Sequence, residues 1–183
     1  EGDMPQYLYF LSKGKIKTYR THDDGKEYVT QVYKDGDFLG LNPLFEGKPY
    51  GDSAILLEDS EVSKIPKEDF LSLVYKNRDV ASQFIKILSN NIEESQVKLL
   101  SLAYDSVRKR TAEALVGLEK LFASEEDEYT KISVTREDLA GMIGTATETA
   151  IRCLGELKED KLIEVKGRVI VVLDLNGLKE VQS

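Results

Sequence analysis

The apolar positions of this chain change their period twice. Over residues 7–65 they fall in short runs at 7–11, 16–21, 28–33, 54–57 and 61–65. Between them lie turn formers: Lys13-Gly14, Asp23-Asp24-Gly25-Lys26, Asp35-Gly36-Asp37 and Glu58-Asp59-Ser60. Such runs, bounded by Gly and Asp, read as strands, and the Asp-Gly step marks a hairpin. Their number predicts an antiparallel jelly roll or barrel. Pro66, followed by Lys67, Glu68 and Asp69, starts a short helix, with proline and acids at its first turn. From about residue 78 to 103 the period becomes helical. Ala81, Ile85, Leu88, Ile92, Ser95, Leu99 and Leu102 recur at alternating steps of four and three, which is a heptad seam. The seam predicts a parallel two-stranded coiled coil and therefore a homodimer; the alternative is a helix packed on its own domain. Phe84 and Leu100 lie beside the seam and are expected to meet the strand-rich part. Ser95 interrupts it, either setting register or touching a ligand. Tyr104-Asp105-Ser106 reads as a hinge, and a further helix runs from 107 to about 122, its Arg108-Lys109-Arg110 start read as solvated.

Residues 132–164 then show two short helices joined by a tight turn. Thr135 is a good N-cap, with Asp138 three residues on. Leu139, Ala140 and Ile143 form one apolar face, and Gly144 breaks the run where a positive φ is easiest to supply. Thr145 or Thr147 can cap the second helix, whose inner side is expected to carry Ala150, Ile151, Leu154 and Leu157. A small residue at 140 and a glycine at 144 let the helices cross closely, as in a helix-turn-helix. Thr147, Glu148, Thr149 and Arg152 are left on the outer face. A carboxylate can accept from cytosine N4 and a guanidinium can donate to guanine O6 and N7, so this is a candidate base-reading face. Two β-branched runs, 162–165 and 169–173, flank Lys166-Gly167-Arg168: a short hairpin with a basic tip suited to phosphate contact.

Composition narrows the choice. The chain has 183 residues, 41% hydrophobic and 32% charged, enough for one large or two small domains. No apolar run reaches the roughly 18 residues of a membrane span, and no signal peptide is visible. The start, without Met and at the lip of a strand, is read as following a missing N-terminal segment. One cysteine, Cys153, excludes an internal disulfide and fits a reducing cytoplasm; its position beside Leu154 makes it an inward structural thiol. The net charge of −8 argues against bulk attraction to nucleic acid, yet it is unevenly spread. Residues 131–170 carry 7 basic and 7 acidic side chains, whereas residues 1–76 carry 10 and 14. The run Glu125-Glu126-Asp127-Glu128 is read as a solvated loop. Binding to DNA would therefore rest on a few placed cations and on dimer avidity.

The two-helix stretch and its hairpin resemble the winged helix-turn-helix of the Crp/Fnr family of bacterial transcription regulators. The matching pieces are the Thr-Arg-Glu-Asp-Leu-Ala start, the Gly144 turn, Glu-Thr-Ala-Ile-Arg, and LKEDKLIEVKGRVIVV. LYFLSKGKIKTYRTHDDGKEYVTQVYKDGDFLG is similar to the family's cyclic-nucleotide-binding-type β-roll. The resemblance implies an α+β chain with a jelly-roll sensor domain at 1–76, a dimerisation helix and hinge at 77–106, and a winged DNA-binding domain at 107–183. It implies double-stranded DNA with a palindromic operator, a second copy of the chain, and RNA polymerase as partners. By the same carry-over Glu148 and Arg152 read a G·C-containing core and Thr147 stands where some members carry arginine. Thr135, Arg136, Thr149, Lys166 and Arg168 are placed for phosphates. In cyclic-AMP-responsive members, a glycine-glutamate pair holds the ribose and an arginine-serine pair holds the phosphate. Gly40 matches, but Leu41 replaces the glutamate, and Asp52 replaces the arginine beside a retained Ser53. Ser95 and Gln96 fall where the long helix faces the purine. An anion in place of a cation turns attraction into repulsion, so cyclic AMP is not expected as the effector. Haem is not supported either, since the one histidine, His22, sits by a hairpin turn. Nor is an iron–sulfur cluster, since the family's cysteine cluster has no counterpart in this sequence.

Two rival classes remain open at this level. A metal-dependent cupin needs several histidines with a carboxylate, and one histidine disfavours it. No nucleophile-base set, P-loop or dinucleotide glycine pattern can be assembled, so an enzyme is not expected. A dimeric ligand sensor whose winged domain binds protein is harder to separate by sequence.

Overall fold

The computed structural model describes residues 1–123 and 128–182. Of the acidic run, Glu125, Glu126 and Asp127 lie outside the described residues; Glu128 is exposed. The chain divides into two compact units. The first comprises 1–21 and 29–97, and the second 22–28 and 98–183.

The first unit is built on two three-stranded antiparallel sheets. One has the order β4-β1-β6, formed by β1 (Tyr7–Lys13), β4 (Phe38–Leu39) and β6 (Glu61–Pro66). The other has the order β3-β2-β5, formed by β2 (Ile16–Thr21), β3 (Glu27–Tyr33) and β5 (Ser53–Leu56). The pairings are long-range: Leu8 lies opposite Ile65, and Ile16 opposite Leu56. Helix α1 (Leu41–Glu46) follows β4, and α2 (Lys67–Lys76) follows β6 from an N-cap at Pro66. The sheets bury Leu8, Leu11, Ile16 and Leu39. Helix α3 (Arg78–Tyr104) adds Phe84, which meets Phe38 at 5.2 Å and Phe70 at 4.9 Å between ring centroids, both edge-on. Edge-to-face aromatic packing of this kind adds to the area term.

Phe84 is the one residue of α3 that is buried among those described. Leu100, expected to share that role, is 60% exposed. Along the heptad series, Ile85, Ile92 and Leu99 are 66%, 61% and 66% exposed, and Ala81, Leu88 and Leu102 are half-buried. Ser95 is exposed, and its hydroxyl donates to the Asn91 carbonyl at 2.7 Å, as helical serines do when no outside partner is supplied.

The second unit holds α4 (Val107–Phe122), β7 (Lys131–Ser133), α5 (Arg136–Ile143), α6 (Thr147–Glu159), β8 (Ile163–Lys166), β9 (Val169–Val172) and α7 (Leu175–Lys179). The break before α4 is confined to Asp105 and Ser106; Tyr104 still belongs to α3, and Ser106 caps α4 by accepting from the Lys109 backbone. A three-stranded sheet, β7-β9-β8, backs the helices. Leu115, Ile132, Leu139, Leu157, Ile163 and Ile170 sit at its centre, each essentially without exposure. The strand β7 and the two-residue strand β4 are too short to have a readable period, and both were unforeseen by the pattern. The cations at the start of α4 are engaged. Arg108 pairs with Asp160, Lys109 with Asp105 at 2.8 Å, and Arg110 Nη1 donates to the Ile143 carbonyl at 2.6 Å. They are structural ties, in place of the solvated charges expected.

Candidate nucleic-acid interface

The site is assembled from α5, its turn, α6 and the β8–β9 hairpin. Thr135 caps α5: its hydroxyl oxygen accepts from the Asp138 amide at 3.0 Å, satisfying one of the orphan donors at the helix start. Gly144 ends α5 in the left-handed region at φ 64°, with its amide donating to the Ala140 carbonyl. A β-carbon there would lie 2.9 Å from Leu102 Cδ2, so the turn needs glycine for its conformation and for its clearance. Neither Thr145 nor Thr147 caps α6. The N-cap is Ala146, without a side-chain bond, which leaves the Thr147 hydroxyl uncommitted to a cap.

Helix α6 buries Ala150, Cys153, Leu154 and Leu157. Ile151, expected among them, is 50% exposed, and Cys153 takes the inward place. The reason is angular: at about 100° per residue, 150, 153, 154 and 157 cluster on one side, and 151 points away from them. Outward stand Glu148, Ile151, Arg152 and Gly155, all exposed, with Thr147 and Thr149 half-buried at the margins. The Arg152 side chain is 73% exposed and only loosely paired, its Nε 3.9 Å from Glu156. A surface pair of this geometry contributes little and can be exchanged readily for another partner.

The hairpin lies within reach of α5. Arg136 Nη2 donates to the Gly167 carbonyl at 2.8 Å, tying the helix start to the hairpin tip. Lys166 pairs with Glu164 at 2.9 Å, while Arg168 is exposed at the same tip. The second unit thus brings together Thr135, Arg136, Thr147, Glu148, Thr149, Arg152, Lys166 and Arg168 on α5, α6 and one hairpin.

The candidate effector residues of the first unit are differently placed. Leu41 is buried with Leu44, Phe70 and Phe84, so it is a core side chain. Gly40 lies under the Tyr50 ring; a β-carbon at 40 would be 3.0 Å from it. Asp52 accepts from Arg20 and, at 3.2 Å, from Thr30, whose hydroxyl lies 2.8 Å from that of Thr18. The hydrogen bond to Asp52 raises the Arg20 pKa. Burial pushes the phenols of Tyr33 and Tyr50 up to about 12. Ser53 is half-buried, and Ser95 and Gln96 on α3 are exposed. Arg20 was missed by sequence reasoning, although its alternation with Ile16 and Thr18 along β2 placed it on their face. No group of three or more His, Cys, Asp and Glu that could hold a metal occurs among the described residues.

The cyclic nucleotide-binding domain family matches residues 1–77, and the Crp-like helix-turn-helix domain family matches residues 109–181. The chain is 28% identical over 186 residues to the cyclic AMP receptor protein of Thermus thermophilus, covering 99% of this chain and 82% of that protein. It is 29% identical over 181 residues to the fumarate and nitrate reduction regulatory protein of Vibrio cholerae, covering 98% of this chain and 72% of that one. In fold it is similar to FixK2 of Bradyrhizobium japonicum, with a TM-score of 0.86 at 19% identity, over 100% of this chain and 90% of that chain.

Proposed function

We propose, from the premise that this chain belongs to the Crp/Fnr family of transcription regulators and carries its helix-turn-helix DNA-binding domain, that it works as a homodimer reading a palindromic operator. The observation that carries the reading is the outward face of α6. Glu148 and Arg152 stand exposed one turn apart on a helix anchored from below by Ala150, Cys153, Leu154 and Leu157. Both can address base edges from one major groove. Thr147, at the start of the same face, reads the outer base of the half-site. Thr135, Thr149, Lys166 and Arg168 contact phosphates, and Arg136 holds the hairpin tip for that purpose. The exposed series Ile85, Ile92 and Leu99 supplies the dimer contact that gives two heads for two successive major grooves, about 34 Å apart.

Cyclic AMP does not activate this chain. Asp52 presents a carboxylate where a phosphate would need a cation, and Arg20 is already spent on it. Leu41 is committed to the core. The protein acts in the cytoplasm with RNA polymerase as its partner; no helix among the described residues is long and apolar enough to cross a membrane. A binding selection on random duplexes tests the reading. The expected result is a symmetric motif, with Arg152→Ala costing about 1–3 kcal/mol per half-site and relaxing one G·C pair. An asymmetric or absent motif, or an Arg152→Ala variant with unchanged preference, overturns it. Titration calorimetry with cyclic AMP is expected to show no micromolar binding.

A further inference from the structure

Ile151 is the odd residue of the α6 outer face. It is half-exposed on a helix whose other aliphatic side chains, Leu154 and Leu157, are buried. Taking Glu148 as the centre of the face, Arg152 lies about 40° to one side and Ile151 about 60° to the other. The three side chains therefore form one continuous strip, an anion in the middle with a cation and an aliphatic group flanking it. Gly155 follows on the same strip, four residues after Ile151, and a β-carbon there would meet nothing within 4 Å. In a helix, the side chain at i+4 leans back over residue i. With no side chain at 155, the Ile151 surface stays uncovered. A mid-helix glycine costs about 0.5–1 kcal/mol relative to alanine, and no packing constraint at Gly155 asks for it.

We infer that Ile151 is a specificity residue that receives the 5-methyl group of a thymine, with Gly155 keeping the approach clear. This rests on α6 entering a major groove as proposed above. The chemistry selects one base. Isoleucine neither donates nor accepts hydrogen bonds, and the thymine methyl is the one apolar group that a base pair presents in that groove. Against the amino group of adenine or cytosine, or the N7 and O6 of guanine, the same side chain would strip water from a polar edge and return nothing. The operator half-site then holds a thymine on the Ile151 side of the base pair read by Glu148.

Deoxyuridine, which is thymine without the methyl, tests this on the whole chain. The preferred duplex from the random-sequence selection is resynthesised with single deoxyuridine replacements in one half-site. Wild-type protein is expected to lose about fourfold in affinity at one position, and about fifteenfold when both half-sites are replaced, the worth of one buried methyl each. Ile151→Ser is expected to bind thymine and uracil duplexes equally, while still discriminating at the pair lost in Arg152→Ala. Gly155→Ala is expected to raise the melting temperature and weaken operator binding. Gly117→Ala, at an equally open helical glycine away from this face, is expected to raise it with binding unchanged. If the selection yields no preferred duplex, the DNA reading falls and takes this inference with it. If a duplex is selected and Arg152→Ala relaxes it, but no deoxyuridine position costs the wild type affinity, the inference alone is wrong. It is equally wrong if Ile151→Ser keeps the full deoxyuridine penalty.

Discussion

Thr135 caps α5 with its hydroxyl, and the proposed phosphate contact would use the same group. Its oxygen accepts from the Asp138 amide, which leaves its proton free to donate outward. Thr135→Ala is therefore expected to destabilise the protein by about 1 kcal/mol through the lost cap, and to weaken binding to every duplex alike. Thr135→Ser should restore both, as read by denaturant titration and by binding to selected and unrelated DNA. Tyr33 gives a pH signature. Burial raises its phenol from the usual value near 10 to about 12. The unfolded chain then loses its proton first, so the stabilisation is complete below pH 10 and is lost as pH rises toward 12. Tyr33→Phe should flatten the fall of stability over that window, measured as denaturation midpoints at several alkaline pH values. Tyr50, raised similarly by burial, should account for part of what remains.

At the scale of elements, α3 is the least self-sufficient part of the molecule. A helix of 27 residues that buries Phe84 and leaves Ile85, Ile92 and Leu99 largely in water is stabilised poorly by its own chain. Ile92→Glu places a charge on the proposed seam. It should shift sedimentation from dimer to monomer at micromolar concentration and lower operator affinity; a wild-type monomer would refute the dimer outright. The helix α3 was legible because a strict four-three spacing survives any context, while its role as a seam is the proposal that Ile92→Glu tests. The same holds for α5, where the cap residue, the apolar face and the terminating glycine all point to one structure. Legibility fails where few residues carry the signal. β4 and β7 have two and three residues, and what makes them strands is a partner far along the chain, Phe10 with Phe38 and Ile132 with Ile170. In the proposed interface, hydrophobicity alone assigned Ile151 to the core, while the helical angle sends it outward. Arg20 could not be paired with Asp52 from sequence, since the sheet brings together residues 32 apart.

At the scale of the whole molecule, the charge of −8 opposes DNA, so the electrostatic part of binding must come from a few exposed cations. Arg168 at the hairpin tip makes no ion pair among the described residues, whereas Lys166 is shared with Glu164. Arg168→Ala should weaken all sequences similarly and reduce the salt slope of log K by about one. Lys166→Ala should do so less, because an ion pair with Glu164 is given up on binding. The proposed dimer, held by an aliphatic seam, would also tie occupancy to protein concentration, so operator binding should steepen as the chain is diluted through its dissociation range.

Cys153 makes the second unit report on its own breathing. It is the chain's one cysteine, 3% exposed on the inward side of α6, away from the face proposed to read DNA. An alkylating reagent can reach that sulfur only while α6 is lifted from its packing. The modification rate at low reagent thus counts spontaneous openings of the reading head, residue-specifically and with no added label. If α6 reads the operator as proposed, bound DNA holds the helix from outside and should slow the reaction in proportion to occupancy, so one thiol gives the energy of opening and the affinity for DNA from the same clock.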